Sequence, residues 1–326
     1  MSDGSQIVRS ALAALCAVLL VALPAAAQEY PAKPVRIIIG FSPGGATDLV
    51  ARLMAPKYSS ALKQPFIVDN RPGANGVIGS DLAAKAAPDG YVIHLATIGS
   101  LVLSPATGKV PYDPLKDFAP ISQAVALQNI FIAHPTLPVR TLKDLVALAK
   151  ARPGALNFAS SGTASPGHLA GELLKNMTGI KLVHVPYKGG GPAMIDLLAG
   201  HVELFVAVIS TAVPQVKAGK VRALAVTGTK RASALPDVPT VAETGLKDYE
   251  ATNWYGYVAP AATPRAIVER LHKATVAVLE MPDVKQALLD QGIETAASTP
   301  EQFAAYIRSE TAKWTRVIRA AGVKVD

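Results

Sequence analysis

The chain is 326 residues long, half of them hydrophobic, with a formal net charge of +8 at pH 7. Its lysines and arginines are scattered and aromatic residues make up only 6%, which disfavours a nucleic-acid interface because such an interface needs a basic stripe. The single cysteine, Cys16, lies in the N-terminal leader. We therefore expect no disulfide and no cysteine-based metal site in the mature protein, which at about 300 residues is long enough for two domains.

The first 27 residues have the pattern of a secretory signal peptide. Arg9 precedes an apolar run at residues 12–23, which leads to Pro24 and the small residues of an A-x-A site. This pattern predicts cleavage after Ala27 and a periplasmic location. The run is short for a transmembrane helix, so a membrane anchor is the weaker alternative.

The mature chain begins with a strand, a glycine-rich loop and a helix. Residues 35–39 are strand-like, residues 40–45 contain three glycines, and an amphipathic helix is predicted from Ala46. This arrangement directs backbone N–H groups and the positive end of a helix dipole at one point, which is a potential anion site. The alternative is a plain turn in which the glycines serve only geometry.

The same loop also matches G-x-S-x-G, the nucleophile elbow of α/β-hydrolases, at residues 40–44. In that elbow the residue after the serine donates its N–H to the oxyanion. Here that residue is Pro43, which has no N–H. The sequence therefore excludes a hydrolase of this type.

The next two strands are predicted at residues 66–68 and 91–97, separated by a glycine-rich turn and a helix near residues 76–87. The glycines of that turn do not have the dinucleotide-binding spacing, and both tight packing and ligand contact remain open for them. His94 lies in an apolar run and is interpreted as a core histidine. Residues 97–100 end a strand where open α/β sheets place their ligands.

Two further strand–loop–helix units follow in the middle of the chain. After a strand at residues 128–133 and a helix capped by Thr141, residues 156–168 run through serines, a threonine and glycines into a helix near Pro166. These hydroxyls exceed what a packing turn needs, so ligand contact is favoured. Residues 182–192 repeat the arrangement with three consecutive glycines.

The remaining elements are strands at residues 202–206, 221–227 and 254–259 and a largely helical C-terminal third, in which Thr299 is predicted to cap a helix. Alternating strands and helices indicate an α/β fold with mainly parallel sheets and flanking helices. We expect the three glycine-rich units to face one another across a cleft between two domains.

Several motifs in this order resemble the signature loops of the Bug, or TctC-type, extracytoplasmic solute receptors of tripartite tricarboxylate transporters. The motifs are FSPGGATD at 41–48, NRPGANG at 70–76, VPYKGGGP at 185–192, VRALAVT at 221–227 and LPDVPTVAE at 235–243. The resemblance covers the mature chain from Tyr30 to Asp326. It implies a two-domain periplasmic-binding-protein (Venus-flytrap) fold with a discontinuous first domain at residues 28–127 and 251–326 and a second domain at 128–250.

The resemblance further implies a small carboxylate ligand, a membrane permease of the same transporter type as partner, no cofactor, no metal and a monomer. It implies a binding site formed by loops of both domains. The residues expected there are Phe41, Ser42, Gly44, Gly45, Thr47, Asp48, Asn75, Thr97, Ser100, Ser160, Ser161, Gly162, Thr163, Ser165, Gly189 and Gly190.

One departure from the family concerns its second domain, where an acidic residue often follows a Gly-x-x-Asp turn. Here Glu203 replaces the aspartate of the turn, and Ala207 occupies the position of the later acidic residue. If that acid helps to select ligands, selectivity should differ here. A second departure is Pro56, which is expected to kink the first helix after Ala55.

Two other functional classes were weighed against a receptor. An α/β enzyme acting on a small carboxylic acid would need a base or nucleophile constellation. The six histidines show no zinc-enzyme spacing, and Asp48 is more simply explained by the helix dipole and an i,i+4 pair with Arg52. An interaction scaffold would not need donor-rich glycine loops at three helix starts.

Overall fold

The computed structural model describes residues 30–321 of the chain. From Lys33 onward the described residues belong to one compact unit, which contains every element described below. The predicted signal peptide lies outside the described residues. Among the helices of residues 30–321, none combines the length and the apolar character that a membrane span requires.

The described residues form ten strands and ten α-helices. The strands are β1 Val35–Ile39, β2 Phe66–Asn70, β3 Val92–Thr97, β4 Phe118–Ala133, β5 Asn157–Ser160, β6 Val183–Pro186, β7 Leu204–Val208, β8 Arg222–Val226, β9 Thr252–Pro260 and β10 Ile293–Thr295. The helices are α1 Ala46–Leu62, α2 Val77–Ala84, α3 Ser104–Thr107, α4 Leu142–Ala151, α5 Pro166–Thr178, α6 Gly190–Leu198, α7 Ile209–Lys217, α8 Arg265–Glu280, α9 Pro282–Leu289 and α10 Pro300–Ala321. Short 3₁₀ turns at Ala74–Gly76 and Ala242–Thr244 and a π-helical turn at Gly99–Leu103 complete the elements.

The strands pair in the order β2-β1-β3-β9-β4-β7-β5-β6, and β8 and β10 each pair with β4. Within the described residues four pairs are parallel and lie among β1–β3 and among β5–β7. Five pairs are antiparallel, and all of them involve β4 or β9. The sheet therefore contains more antiparallel pairs than we expected from the sequence. The reason is that the two long strands β4 and β9, which join the parallel groups, run antiparallel to their neighbours.

Strand β4 connects the two parallel groups. Its part at Phe118–Gln128 pairs with β9, and its last five residues pair with β7. The β1–β3 group and the β5–β7 group thus share one continuous strand, and the carboxyl ends of β1 and β5 lead into the loops that form the candidate site described below.

Helix starts follow the sequence signals closely. Thr141 Oγ1 accepts from the Asp144 N–H at 3.1 Å and the Asp144 carboxylate accepts from the Thr141 N–H at 2.9 Å, which completes a capping box at α4. Thr299 and Gln302 make the same reciprocal pair at α10, with distances of 3.1 and 2.9 Å. Such caps stabilise a helix by about 1 kcal/mol.

Apolar side chains cover both faces of the β5–β7 group. Phe158 and Leu174 pack in a cluster on one face, and Phe205 and Met194 pack on the other. In the other part of the sheet, Trp254 of β9 packs edge-on against Phe303 of α10. Burial of side chains of this size, at about 1.5–3 kcal/mol each, fixes the strands that carry the site loops.

Several local predictions have clear outcomes. His94 is a core histidine as predicted, 1% exposed, with Nδ1 2.9 Å from the Ile38 carbonyl oxygen and Nε2 2.8 Å from Ser80 Oγ. Helix α1 continues through Pro56 to Leu62, and the kink after Ala55 stays a prediction. The sequence did not predict the first ten residues of β4 or the short strand β10.

Candidate functional site

A narrow cavity lies among the loops that follow β1, β5, β6 and β7. It holds about 400 Å³ of empty space, counting the part that opens to solvent. Strands β3 and β9 contribute the remaining side chains. The lining comprises Phe41, Gly45, Ala46, Thr47, Thr97, Ser161, Pro166, Gly190, Val208, Thr211, Asn253 and Tyr255.

Four helices begin at this cavity. The lining includes the N-cap or a first-turn residue of α1 (Gly45), α5 (Pro166), α6 (Gly190) and α7 (Val208). The N-caps of α1, α6 and α7 make no side-chain hydrogen bond. Because the first N–H groups of a helix have no intrahelical partner and lie at the positive end of its dipole, the four starts make the cavity electropositive.

The side chains of the lining carry no formal charge. Its polar side chains are hydroxyls and one amide, at Thr47, Thr97, Ser161, Thr211, Asn253 and Tyr255. Burial raises the pKa of the Tyr255 phenol well above its usual value, although a hydrogen bond with Asn253 acts in the opposite direction. The tyrosine is therefore a neutral hydroxyl at any physiological pH, and the cavity offers dipoles and donors rather than ionised groups.

Thr211 lies in the first turn of α7 with its hydroxyl in the cavity wall. Its Oγ1 is buried and is one of the side-chain atoms of the described residues without a hydrogen-bond partner. A Cβ built on Gly190 would lie 3.2 Å from this oxygen, so α6 and α7 meet here. Because a buried hydroxyl without a partner costs free energy, a hydrogen bond to a polar group in the cavity would stabilise this side chain.

The loops from the two parallel groups touch each other on both sides of the cavity. The Ser42 N–H and Oγ both donate to the Lys188 carbonyl oxygen, at 3.2 and 2.9 Å. Asn75 Nδ2 donates to the Ala164 carbonyl oxygen at 2.9 Å. These contacts join the loop after β1 to the loop after β6, and the turn after β2 to the loop after β5.

The structure brings six of the sixteen predicted residues into the lining, namely Phe41, Gly45, Thr47, Thr97, Ser161 and Gly190. Three others make contacts between the loops: Ser42, Asn75 and Gly189, whose Cβ would lie 3.2 Å from the Ser42 nitrogen. Gly162 also belongs to this contact, because its Cβ would lie 3.5 Å from the Asn75 Cα. Gly44 is exposed, and Thr163 is half-buried outside the lining.

The hydroxyls of the predicted residues Ser100, Ser160 and Ser165 form hydrogen bonds with nearby backbone groups. Ser165 Oγ accepts from the His168 N–H at 3.2 Å and caps α5. Ser160 Oγ accepts from the Gly162 N–H at 3.2 Å, and Ser100 Oγ accepts from the Thr97 N–H at 3.4 Å. These hydroxyls shape the loops around the cavity.

Asp48 stabilises the loop after β1 through hydrogen bonds to its carboxylate. Its carboxylate accepts from the Gly44 N–H at 3.1 Å, from Asn70 Nδ2 at 3.0 Å and from Arg52 Nε at 2.9 Å, which confirms the predicted i,i+4 pair. Burial acts to raise the pKa of this carboxyl, but the hydrogen bonds from Arg52, Asn70 and Gly44 outweigh it and lower the pKa. The negative charge is thus neutralised locally and leaves the cavity electropositive.

Sequence reasoning missed six lining residues: Ala46, Pro166, Val208, Thr211, Asn253 and Tyr255. Ala46 and Pro166 are the first residues of helices whose starts were predicted. Val208 and Thr211 follow the predicted strand near residues 202–206, and a helix start directly after a buried strand is the signal that could have found them. Asn253 and Tyr255 lie on alternate positions of β9 and so share one face.

Comparison with known proteins shows one consistent relationship. A family model described as "Tripartite tricarboxylate transporter family receptor" matches residues 50–323. Protein BugT of Bordetella pertussis is 36% identical over 310 residues, which cover 94% of each chain. The similarity therefore extends over most of the chain and is not limited to the signature motifs.

Solved structures agree with this relationship. The periplasmic binding protein BugD matches with a TM-score of 0.87 and 35% identity over 90% of this chain and 99% of that one. Rpa4515 of R. palustris with adipate matches at 0.88 and 35%, covering 91% and 99%. MatC of Rhodopseudomonas palustris with bound malate matches at 0.85 and 31%, covering 89% and 100%. The predicted periplasmic-binding-protein fold is confirmed.

Proposed function

Since the chain belongs to the receptor family of the tripartite tricarboxylate transporters, we propose that it binds a small carboxylate in the cavity described above and delivers it to a membrane permease of that type. The single observation that carries the binding proposal is the convergence of four helix starts on one uncharged cavity. An anion is the ligand that such N–H groups and dipoles stabilise.

The expected binding energy is sufficient without any ion pair. A hydrogen bond to a charged group contributes about 1.5–3 kcal/mol, and a helix N-terminus contributes about 0.3–2 kcal/mol. Three or four such contacts approach or exceed the ~8 kcal/mol of a micromolar complex, from which association costs must be subtracted. The unpartnered Thr211 hydroxyl is one of the donors that we assign to the ligand.

The solved relatives support the ligand class. Rpa4515 is described with adipate and MatC with malate, and both are dicarboxylates. We extend the class, but no particular acid, to this chain. Of the predicted site, the residues that line the cavity are proposed to contact the ligand, while Ser42, Asn75, Gly162 and Gly189 are proposed to close it. Ser100, Ser160, Ser165 and Asp48 are proposed to shape its loops, and Gly44 and Thr163 remain candidates for contact.

We further propose that cleavage of the predicted signal peptide releases the receptor as a monomer into the periplasm. The domain limits, residues 28–127 with 251–326 and residues 128–250, are also a proposal. The junction within β4 supports them, because its pairing partner changes from β9 to β7 between Gln128 and Asn129.

A hydroxyl–imidazole pair does occur near the cavity, but it does not favour an enzyme. Ser160 Oγ lies 2.7 Å from His184 Nε2. The serine is fully buried, outside the cavity lining, and its oxygen is also 2.9 Å from the Gly162 carbonyl oxygen. A nucleophile must reach its substrate, and this one is enclosed by its own loop.

The proposed function is tested by binding and turnover together. The mature protein is screened by thermal shift against a panel of mono-, di- and tricarboxylates, and each compound that raises the melting temperature is incubated with the protein and followed by NMR. We expect at least one stabilising carboxylate and its full recovery after hours. Turnover that follows the purified protein, or a panel with no stabilising member, contradicts the proposal.

A further inference from the structure

Two histidines stack against each other beneath the loop after β5. The rings of His168, in the first turn of α5, and His184, on β6, have centroids 3.8 Å apart and planes inclined by 6°. Phe158 of β5 lies on the same pair, 5.0 Å from the His184 ring. His168 is 7% exposed. The proposed ligand contacts do not use either ring.

Each ring bonds one end of the loop segment 160–165. The Ala164 N–H donates to His168 Nδ1 at 3.0 Å, and Ser160 Oγ lies 2.7 Å from His184 Nε2. A nitrogen that accepts an N–H carries no proton, so His168 Nδ1 is unprotonated in this arrangement. The histidine pair therefore bonds to both ends of a segment in which Ser161 lines the cavity.

The segment needs such support. Ala164 has a backbone φ of +58°, a left-handed conformation that is strained for a residue with a Cβ and persists where its surroundings hold it. Its carbonyl oxygen accepts from Asn75 Nδ2 at 2.9 Å. The bond from Ala164 to His168 thus holds the residue that also joins the two sides of the cavity.

We infer that His168 and His184 are a positioning pair that holds segment 160–165 in its cavity-forming conformation. The consequence for ligand affinity rests on the proposed function, whereas the consequence for the segment does not. Loss of the His168 Nδ1 acceptor would leave the buried N–H of Ala164 without this hydrogen bond.

The charged side chains that face the pair lie on α5. Glu172 Oε1 is 3.7 Å from His168 Nε2, and Lys175 Nζ is 2.7 Å from the same oxygen. From β5 the pair meets Phe158 and Ser160, neither of which titrates. Burial lowers the pKa of His184 to about 3, with the charge of Lys175 acting in the same direction and that of Glu172 opposing it.

Three variants of the full mature chain separate positioning from general stability. His168→Phe keeps a planar ring but removes the acceptor. His168→Asn places an amide oxygen near the position of Nδ1 and so supplies another acceptor. His201→Asn is the matched control. The His201 side chain is exposed and contacts Asp196 rather than segment 160–165.

The main readout is the protection factor of the Ala164 amide against hydrogen exchange, measured by NMR without ligand and corrected for the intrinsic effect of pH. We expect at least tenfold lower protection in His168→Phe at neutral pH, and restoration in His168→Asn. His201→Asn should behave as wild type.

Wild-type protection of the Ala164 amide in a folded His168→Phe, or at least tenfold lower protection in a folded His168→Asn, overturns the inference. If His168→Phe does not fold, the comparison of wild type with His168→Asn still decides. Titration of malate and adipate into the same proteins tests the consequence for affinity, which should fall at least tenfold in His168→Phe. If no carboxylate binds the wild type, the proposed function is contradicted. The positioning role of the two histidines is then decided by the hydrogen-exchange measurement alone.

Discussion

A single methyl group at Gly191 should prevent the two loops from closing on a ligand. A Cβ built on this residue would lie 2.6 Å from the Pro43 carbonyl oxygen, a distance that Cβ atoms do not tolerate. Gly191 lies in the first turn of α6, where alanine is compatible with the backbone. Gly191→Ala should therefore leave the fold intact and separate the loop after β1 from the loop after β6.

The expected loss follows from the contacts that this separation breaks. Ser42 makes two hydrogen bonds to the Lys188 carbonyl oxygen, each contributing about 0.5–1.5 kcal/mol. Their loss in the closed state corresponds to about 1–3 kcal/mol, or roughly 5- to 150-fold in affinity. Stability should not fall in parallel, because glycine to alanine in a compatible helical position stabilises by about 0.4–1 kcal/mol through the unfolded chain.

Isothermal titration with a carboxylate that binds the wild type, together with thermal unfolding of the free protein, measures both quantities. Gly108→Ala is the matched control, because a Cβ there meets nothing within 4 Å and Gly108 has an extended backbone at the end of α3. We expect weakened binding only in Gly191→Ala. Wild-type affinity in a well-folded Gly191→Ala would refute the idea that this loop contact belongs to the ligand-bound state.

Two further predictions concern a hydroxyl and a buried histidine. Thr211→Val keeps the shape of the side chain but removes the unpartnered hydroxyl, so titration should show a loss of about 1–3 kcal/mol in binding. The loss should exceed that in Thr163→Val, whose side chain lies outside the lining, and the reverse order would contradict the assigned donor. Burial lowers the pKa of His94 to about 4, although its bond to the Ile38 carbonyl acts to raise it. Because the unfolded chain takes up this proton first, stability should be full above pH ~6.5 and fall by roughly 3 kcal/mol as the pH drops to 4. Urea unfolding across this range should show a smaller fall in His94→Asn, and equal falls would refute the assignment.

The sequence predicted the parts of the site that are formed by local sequence motifs. Glycine-rich loops after β1 and β6 and the hydroxyl-rich loop after β5 marked three of the four helix starts, and the structure brings them to one cavity. The start of α7 was missed because Val208 is the N-cap and no glycine or capping side chain marks it. A helix start of this kind is visible only once the preceding strand is known to end at the cavity.

Serine residues caused the opposite kind of error, because some that were predicted to contact the ligand bond to the backbone instead. Ser160 and Ser165 resemble ligand donors in the sequence, but their oxygens cap or brace the local backbone. Serine side chains compete for nearby backbone groups, and the sequence does not tell which partner is chosen. Asn253 and Tyr255 were missed for a long-range reason, since their side chains reach the cavity only because β9 pairs between β3 and β4.

The most direct test of the central claim compares each acid with its neutral twin. Malate, adipate and a set of other small carboxylates are titrated calorimetrically into the mature protein beside the corresponding amides, which keep the shape and lose the charge. If helix starts and hydroxyls hold an anion, at least one acid should bind with a stoichiometry of one, and its amide should bind at least a hundredfold more weakly, about 2.7 kcal/mol. An amide that binds as tightly as its acid, or a set in which no acid binds, would contradict the account.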